Sequence, residues 1–447
     1  MTTAASDINR NKRILFASIG SLGDLHPCVA LAFELRRRGH SVTIASTEFY
    51  RGHIAALGFE FAPLRPNWDP TDRDLIARCE NLKRGPEILF RELILPYVND
   101  TYEDLLHAAA NTDLMIAGEL NFAAPLVAEK FKLPWASAIL SPCSFFSAHD
   151  PSFLVNAPYL IHLRRSGWIV NRVILNSGQP FIRRWWSPVR NLRKREGLRT
   201  KCNPVFRDKF SPDLVLALFS KHLAAPQPDW PVNTLQPGFV FYDRPEMDSE
   251  LKASLQSFVA NTDDPPIVFS LGSTAAHNPG HFYEVSISAA KHLRRRAVLV
   301  GASDSPRMIE PGILAVPYAP YSWIFPRAAT IVHQGGSGTT GQSMRAGKPT
   351  LIVPYGWDQP DNAMRIERLG TGLHLPRRAY SVENAAATIE RLLIEPQFAR
   401  RAAEVGQSIC ADDAVPLACD AIERLLGGFV AVQNGSGWVA DSKTQPG

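Results

Sequence analysis

The segment His333–Ala363 concentrates residues that can bind an anion. A predicted strand ends at His333, and glycines and hydroxyl residues follow it before a predicted helix over 338–346. Glycines let the backbone approach an anion closely, and the N–H groups that open a helix attract phosphate. The loop residues able to contact the anion are Gly336, Ser337, Gly338, Thr339 and Thr340. The alternative is a tight turn with a Ser/Thr helix cap, and the run matches neither a Walker loop nor GxGxxG.

A second segment whose residues could take part in a reaction is Gly20–Pro27, which holds the carboxylate of Asp24 and the imidazole of His26. Either group can accept a proton. The ordinary pKa of His, about 6.5, suits proton transfer at neutral pH better than the value of about 3.9 for Asp. Burial in a cleft would raise the Asp value. Each residue also has a structural alternative, His26 as the N-cap of a helix and Asp24 as a charge near the positive end of the helix dipole.

Both segments follow strand-like runs in a strand–helix alternation. Arg13–Ser18 and Ser41–Ser46 are predicted strands, and the helix between them is predicted to begin at Pro27 and to end before Gly39. Such a unit implies parallel strands joined by a right-handed crossover. The alternation breaks at about residue 150 and restarts with Pro265–Ser273.

Residues 224–238 carry four prolines and predict a linker between the two alternating halves. We therefore predict an α/β protein with two doubly wound, Rossmann-like domains that face a central cleft. The predicted boundaries are an N-terminal domain over 1–223, a linker over 224–240, a C-terminal domain over 241–427 and a disordered tail over 428–447.

His333–Ala363, with the preceding Val316–Ala328, resembles the donor-site signature of family 1 glycosyltransferases, which have the GT-B fold. The shared pattern is a His, a glycine-rich loop, a GTT helix, AGxP, and DQ followed by N-A. Macrolide, glycopeptide and sterol glycosyltransferases share GGxGTT. The rhamnosyltransferases of rhamnolipid synthesis also share GSxGD, the AAPQPDWP-like linker and the YAP segment. The resemblance covers most of 13–410 and is weak across 50–110 and 150–210.

The resemblance implies donor-site roles for residues of the second half. His333 and Ser273 would contact the donor phosphates. Asp358 and Gln359 would bind adjacent sugar hydroxyls, one accepting and the other donating hydrogen bonds. A helix cap before Pro360 is the alternative for Asp358.

The position of Tyr318, which Ala319 follows, corresponds to a Trp that stacks on uracil in plant members. Tyr318 could stack on a pyrimidine or belong to the core, and we assign both residues to the donor site. Plant members also carry a ribose-binding Glu where this sequence has Gly341. Without that carboxylate, a dTDP donor is credible beside a UDP donor.

The implied reaction is an inverting transfer of a hexosyl group from a UDP- or dTDP-sugar to an acceptor hydroxyl. A helix N-terminus and His333 would stabilise the leaving diphosphate. Because no DxD-type pair lies on a suitable loop, we predict no metal, and no cofactor beyond the nucleotide-sugar co-substrate. Glycopeptide-type members place an Asp at the position of Asp24, so Asp24 is the first choice for the base and His26 the rival. On the acceptor side, Ser21 would help to hold the hydroxyl, and Glu119 is a more distant candidate.

Basic residues interleaved with Trp mark 151–201, where Glu196 is the one acid. The basic residues are Arg164, Arg165, Arg172, Arg183, Arg184, Arg190, Arg193, Lys194, Arg195, Arg199 and Lys201. This composition favours an amphipathic surface near membrane headgroups, with peripheral membrane contact, or near an acidic amphiphile. The resemblance implies that the N-terminal domain binds the acceptor and the C-terminal domain binds the donor. In the resembled family the region that matches 151–201 lines the acceptor pocket, which implies a lipophilic acceptor. A solvated helical face over a Trp core is the alternative. No RNA-module signature accompanies the segment, so nucleic acid is not predicted.

The whole-chain composition fits a globular protein of two or three domains. The 447 residues are 45% hydrophobic and 20% charged, with a formal net charge of +5. Six scattered cysteines and an N-terminus without a signal-peptide core predict a cytoplasmic location, with the inner membrane face as a peripheral site. Two other functions fit less well: a nucleotide-sugar epimerase of similar fold and a non-catalytic sugar- or lipid-binding protein.

Overall fold

The computed structural model describes residues 11–153, 166–200, 202–243, 247–431 and 438–440. Two α/β units follow one another along the chain, each built on a seven-stranded sheet.

All neighbouring strands of the first sheet run parallel, in the order β3-β2-β1-β4-β5-β6-β7. The strands are β1 (Arg13–Ala17), β2 (Ser41–Ser46), β3 (Glu60–Pro63), β4 (Leu114–Gly118), β5 (Trp135–Ile139), β6 (Leu214–Ala217) and β7 (Thr234–Leu235). The helices are α1 (Leu22–Arg37), α2 (Arg51–Ala56), α3 (Arg73–Cys79), α4 (Gly85–Ile88), α5 (Val98–Ala109), α6 (Ala124–Phe131), α7 (Trp168–Ile182) and α8 (Ser187–Arg195).

Both faces of the first sheet are covered, which explains the continuous apolar character of its central strands. In β1, Ile14 and Phe16 join the core beneath α1, whereas Leu15 and Ala17 join the core beneath α5 and α6.

The second sheet has the order β10-β11-β9-β8-β12-β13-β14, and only β10 runs antiparallel to its neighbour. Its strands are β8 (Ile267–Ser270), β9 (Ala297–Val300), β10 (Arg307–Glu310), β11 (Ile313–Val316), β12 (Thr330–His333), β13 (Thr350–Ile352) and β14 (Gly372–His374). The helices are α9 (Ser249–Val259), α10 (Gly272–Ala275), α11 (Phe282–His292), α12 (Tyr321–Ile324), α13 (Ser337–Arg345), α14 (Gln359–Leu369), α15 (Val382–Ile394), α16 (Pro396–Cys410) and α17 (Ala414–Leu426). The predicted α/β class, with two doubly wound units, is confirmed.

The prediction that α1 begins at Pro27 is wrong. The helix begins at Leu22, because the Ser21 hydroxyl accepts a hydrogen bond from the Gly23 N–H and the Asp24 carboxylate accepts one from the Ser21 N–H. This reciprocal capping box satisfies the first backbone donors. Pro27 therefore lies inside the helix, and His26 is not its N-cap.

Two segments differ from the simple division into halves. Within the predicted linker, Thr234–Leu235 forms the edge strand β7 of the first sheet. The last helix, α17, returns to the first unit and packs on α1, where Ala418 and Ile422 join the core beneath α1. Arg38 secures this contact through Asp420 and Glu423, each at 2.6 Å.

In the tail predicted to be disordered, β15 (Phe429–Ala431) pairs antiparallel with β16 (Trp438–Ala440). The remainder of 428–447 beyond these strands and Gly428 lies outside the described residues.

Candidate active site

The candidate residues lie at the carboxyl ends of the parallel strands in both sheets. In the first sheet, β1 lies between β2 and β4, so the chain leaves β1 and β4 in different directions and opens a crevice there. Asp24 follows β1 and Glu119 follows β4. In the second sheet, the corresponding crevice lies between β8 and β12, which Ser273 and the glycine loop follow.

Asp24 is partly buried and held by its capping contacts. Its Oδ2 accepts hydrogen bonds from the Ser21 N–H at 2.8 Å and the Ser21 hydroxyl at 3.1 Å. Burial raises the pKa of Asp24 to about 6; the bonds from Ser21 oppose this rise, and the negative charges of Glu119 and Asp358 add to it. Asp358 belongs to the second unit, yet its charge affects the pKa of Asp24. The two carboxylates therefore lie within electrostatic reach of one another across the cleft.

Gly20 lets the Asp24 carboxylate take this place. Its φ of +141° favours glycine, and a Cβ at this position would overlap Asp24 Oδ2.

His26 follows Asp24 on α1 and is partly buried, with its ring 5.2 Å from that of Tyr242 and 6.3 Å from that of His53. Burial and the neighbouring His53 lower the pKa of His26 to about 4. The order expected from unperturbed values is therefore inverted. At neutral pH, Asp24 is the stronger base of the two, because both groups are removed from water but only the carboxylate loses a charge on protonation.

Glu119 forms an ion pair with Lys209, whose ammonium lies 3.2 Å from Glu119 Oε2 and is itself buried. The negative charge of Glu119 raises the pKa of both Asp24 and Asp358. Glu119 thus contributes an electrostatic effect to both sides of the cleft while its own charge is balanced.

The glycine loop ends in an open helix N-terminus. Gly336 is the N-cap of α13, and the first intrahelical bond runs from the Thr340 N–H to the Gly336 carbonyl. The N–H groups of Ser337, Gly338 and Thr339 precede that bond and need other partners. A nine-residue helix with three such donors favours an anion at its positive end.

The hydroxyl of Thr340 is fully buried and has no hydrogen-bond partner among the described residues. This atom therefore lies behind the helix N-terminus rather than on its surface.

Asp358 occupies the N-cap position of α14, but its side chain makes no capping bond. Instead, Oδ2 accepts hydrogen bonds from the Ser337 hydroxyl at 2.7 Å and from Asn362 Nδ2 at 2.8 Å. Burial raises its pKa to about 6 against these bonds. The adjacent Gln359 is buried, and its Oε1 accepts hydrogen bonds from the N–H groups of Tyr355 and Gly356.

His333 is fully buried at the end of β12. Its Nδ1 accepts a hydrogen bond from the Gly335 N–H at 2.9 Å, and its Nε2 lies 3.3 Å from the Ser343 hydroxyl. Burial lowers the pKa of His333 to about 3, so the ring is neutral. The structure places the ring behind the glycine loop, which it shapes through Gly335, rather than on the surface of the cleft.

The other predicted donor residues follow strands β8 and β11. Ser273 is exposed in α10, directly after β8. Tyr318 is partly buried after β11, and Ala319 beside it is fully buried. Gly341 lies against Phe239, since a Cβ at 341 would be 2.8 Å from the ring.

Three residues that sequence reasoning missed complete the site. Asn362 joins Asp358 to the glycine loop by also donating to the Gly335 carbonyl at 2.9 Å. Gln334 is buried between Gly272 and Gly336, and its Oε1 has no partner in the part of the chain that the structure describes. Asn362 and Gln334 lie within the segment His333–Ala363, whose residue types already mark it, whereas nothing local singles out Lys209.

The basic segment forms α7, α8 and a following turn. Trp168, Ile169, Val173 and Phe181 of α7 are exposed. Arg172 pairs with Asp229 at 2.7 Å, and the buried Arg193 pairs with Glu129 at 2.6 Å. Arg164, Arg165 and Lys201 lie outside the described residues. An apolar helical surface thus borders the first unit, and its contact with a membrane stays a prediction.

Among the described residues, no cluster of His, Cys, Asp and Glu is arranged to hold a metal ion. No described helix is both long and apolar enough to cross a bilayer.

Comparisons with known proteins match both units. Residues 14–143 match the glycosyltransferase family 28 N-terminal domain, and residues 298–421 match the erythromycin biosynthesis protein CIII-like C-terminal domain. The O-mycaminosyltylonolide 6-deoxyallosyltransferase of Streptomyces fradiae is 31% identical over 92% of this chain and 97% of its own length. A sterol 3-beta-glucosyltransferase of Leptosphaeria maculans is 27% identical over 92% of this chain, which spans only 29% of that protein.

Among solved structures, the spinosyn rhamnosyltransferase SpnG complexed with thymidine diphosphate superposes with a TM-score of 0.66 at 18% identity. The match covers 92% of this chain and all of SpnG.

Proposed function

The chain belongs to the family 1 glycosyltransferases of GT-B fold, and from that premise we propose that it transfers a hexosyl group, with inversion, from a dTDP- or UDP-sugar to a hydroxyl of a lipophilic acceptor. The observation that carries the proposal is the pair of carboxylates, Asp24 and Asp358. Each has a pKa raised to about 6, and they lie on opposite sides of the cleft. In the proposal, Asp24 takes the acceptor proton and Asp358 holds the donor sugar.

In the proposed reaction, Asp24 removes the proton from the acceptor hydroxyl. Since Oδ2 accepts both bonds from Ser21, we assign the proton to Oδ1. The acceptor oxygen bonds to the anomeric carbon as the bond from that carbon to the diphosphate oxygen breaks on the opposite face. The negative charge that the diphosphate gains is stabilised by the N–H groups of Ser337, Gly338 and Thr339.

On the donor sugar, Asp358 accepts hydrogen bonds from hydroxyls through Oδ1, while Ser337 and Asn362 hold Oδ2. Gln359 lies beside it as a second sugar contact. His333 acts through Gly335, because its ring fixes the backbone that leads into the α13 N-terminus. Ser273 adds a hydroxyl from the neighbouring strand end.

For the nucleotide we favour dTDP over UDP. Gly341 offers no carboxylate to a ribose hydroxyl, and the ring of Phe239 occupies the space that a side chain there would need. SpnG, of similar fold, is described in complex with thymidine diphosphate. The deoxyribose of a dTDP donor therefore loses no hydrogen bond at this position, whereas the ribose hydroxyl of a UDP donor finds no carboxylate to bind.

A lipophilic acceptor is supported by two observations. Helix α7, which carries exposed apolar side chains, lies against the segment that follows β5: the exposed Trp168 stacks on His149, and Asn171 donates to the Ala148 carbonyl. Two of the similar proteins named above are, by their names, transferases that act on O-mycaminosyltylonolide and on sterols.

The test is thermal-shift titration of the purified chain with dTDP, UDP and GDP, followed by acceptor screening with the preferred dTDP- or UDP-hexose. We expect dTDP to raise the Tm most and GDP not to raise it, and we expect product with inverted anomeric configuration by NMR. Preferential stabilisation by GDP would contradict the pyrimidine assignment. Conversion of the sugar nucleotide to an epimer without acceptor would replace the proposal with an epimerase.

A further inference from the structure

A buried ion-pair network joins the two units beside the cleft. Arg365, on α14, has 1% of its side chain exposed and donates to Asp361 of the same helix at 2.6 Å and to Asp150 of the first unit. Asp361 is 2% exposed and accepts a hydrogen bond from the Phe153 N–H at 2.7 Å. We refer to the contacts of Asp150 and Phe153 with Asp361 and Arg365 as the α14 bridge.

The bridge holds one end of the segment 147–153, which follows β5 and its 3₁₀ turn. The other end is held inside the first unit, where Asp229 accepts hydrogen bonds from the Ser147 hydroxyl and the Ala148 N–H, both at 2.7 Å. The segment is thus fastened to its own unit at 147–148 and to the second unit at 150–153. Its place at the carboxyl edge of the first sheet puts it on the acceptor side of the cleft.

The same helix carries the donor-side contacts. Asp358 is the N-cap of α14, and Asn362, in the next turn, holds the Asp358 carboxylate. The side chains of Asp361 and Arg365 lie one turn apart on α14, and both contact the segment 147–153. A short, rigid helix therefore sets the distance between the group proposed to hold the sugar and the segment beside the acceptor.

The electrostatics of the bridge favour a permanent charge pair. Burial alone would raise the pKa of Asp150, but Arg365 and the half-exposed Arg368 outweigh that effect and lower it to about 2. Two carboxylates face two guanidinium groups, so the buried charges are balanced. Removal of Asp150 or of the buried Arg365 would leave a buried charge without full compensation, whereas the half-exposed Arg368 can be replaced by water.

We propose that Asp150 and Arg365 are positioning residues, which fix the acceptor segment 147–153 to the donor helix α14 so that acceptor hydroxyl and donor sugar meet at a set distance. Displacement of reacting groups by about 1 Å can cost on the order of 100-fold in rate. The kinetic part of this inference rests on the proposed function, whereas its structural part does not.

The structural part is tested by hydrogen–deuterium exchange with peptide-level mass spectrometry on the full chain. In the wild type, the peptide covering 147–153 should exchange slowly. Asp150→Asn should accelerate its exchange at least tenfold, and Asp150→Glu should restore part of the protection. Arg368→Gln is the matched control, because it removes the exposed partner of the same carboxylate and should leave exchange unchanged. Rapid exchange in the wild type, or no change in Asp150→Asn, would overturn the bridge, and the wild-type measurement stands even where the Asn variant does not fold.

The kinetic part compares transfer with hydrolysis of the dTDP- or UDP-hexose in the absence of acceptor. Asp150→Asn should lower kcat/KM for transfer to the best acceptor of the screen at least about tenfold, while the thermal shift by dTDP and the hydrolysis rate stay at wild-type values. Equal loss of hydrolysis and transfer would show an effect on the donor side and sink the positioning role. If the wild type neither binds dTDP or UDP nor transfers sugar, the proposed function has failed, and the exchange result still decides the bridge.

Discussion

The Ser337 hydroxyl donates a hydrogen bond of 2.7 Å to Asp358 Oδ2, which ties the first residue of α13 to the N-cap of α14. The two helices carry the proposed diphosphate and sugar contacts of the donor site. Asp358 makes no capping bond to a backbone N–H of α14, and its Oδ2 accepts instead from the Ser337 hydroxyl and from the Asn362 side chain of its own helix.

Replacement of Asp24 by Asn should remove the proposed base while keeping the fold. We expect transfer to fall by about 100-fold or more, with a Tm near that of the wild type, because an Asn oxygen can still accept the hydrogen bond from the Ser21 N–H. His26→Gln is the control, since the lowered pKa of His26 makes it the poorer base. A larger loss in His26→Gln than in Asp24→Asn would reverse the assignment.

The pH dependence of transfer should report the same group. The base must be ionised, so activity should rise with pH through an apparent pKa of about 6. Asp358→Glu, which keeps the negative charge, should leave that apparent pKa in place, whereas Asp358→Asn should shift it to lower pH because one of the charges that raise it is lost. The measurement is kcat/KM between pH 4.5 and 8.5 with the residual activity of each variant. An acidic limb that does not move in Asp358→Asn would contradict electrostatic reach across the cleft.

Gly20→Ala should impair catalysis through the position of Asp24. A Cβ at residue 20 would overlap Asp24 Oδ2 and force the carboxylate from its place. Gly39→Ala is a matched control, because Gly39 also has a positive φ, +95°, but nothing lies within 4 Å of its Cβ. Both variants should lose roughly 1 kcal/mol of stability from backbone strain, measured by urea unfolding. Only Gly20→Ala should lose activity, and equal losses of activity would count against the contact.

Thr340→Val separates a structural from a binding role for this hydroxyl. The atom is buried without a partner among the described residues, so its replacement by a methyl group of similar size should keep or raise the Tm of the free protein. The thermal shift produced by dTDP should be unchanged if the backbone N–H groups alone bind the diphosphate. A reduced shift would show that the hydroxyl contacts the nucleotide, and Thr339→Val provides the comparison on the same turn.

The buried carboxyl group of Glu80 should make the free energy of unfolding depend on pH. It is buried against the second unit, where Asn278 Nδ2 donates to it at 3.1 Å and Arg377 lies at 3.4 Å. Burial raises its pKa from 4.5 to about 7 despite these partners. The folded state therefore binds the proton more tightly than the unfolded state, and the stability that this supplies is complete below about pH 4.5 and is lost as the pH rises to about 7.

Glu80→Gln should therefore raise the free energy of unfolding at pH 8, by on the order of 2 kcal/mol, and have little effect near pH 5. Thermal unfolding across this range measures the difference. Glu404→Gln, which removes an exposed ion pair with Arg401, should leave the free energy of unfolding unchanged at both pH values. A destabilised Glu80→Gln at pH 8 would show that the ion pair with Arg377 outweighs burial.

Local patterns in the sequence determined much of the secondary structure and of the candidate site. Apolar runs bounded by glycine and proline predict strands such as β1 and β12, and the strand, glycine loop and helix around His333 follow from residue types a few positions apart. The residue types also place Asp24 and Asp358 shortly after strands, because the carboxyl ends of the strands carry the functional polar side chains of α/β sheets. These features depend on neighbours in the chain, which the sequence displays.

Only the tertiary structure decided which of those groups are exposed, charged and paired. The relative basicity of Asp24 and His26 depends on how far each is removed from water, whereas the start of α1 at Leu22 depends on a local capping box, Ser21 and Asp24, that the prediction overlooked. The return of α17 and the bridge between Asp150 and Arg365 join residues more than 200 positions apart. Desolvation and long-range pairing are properties of the assembled core, and no local pattern encodes them.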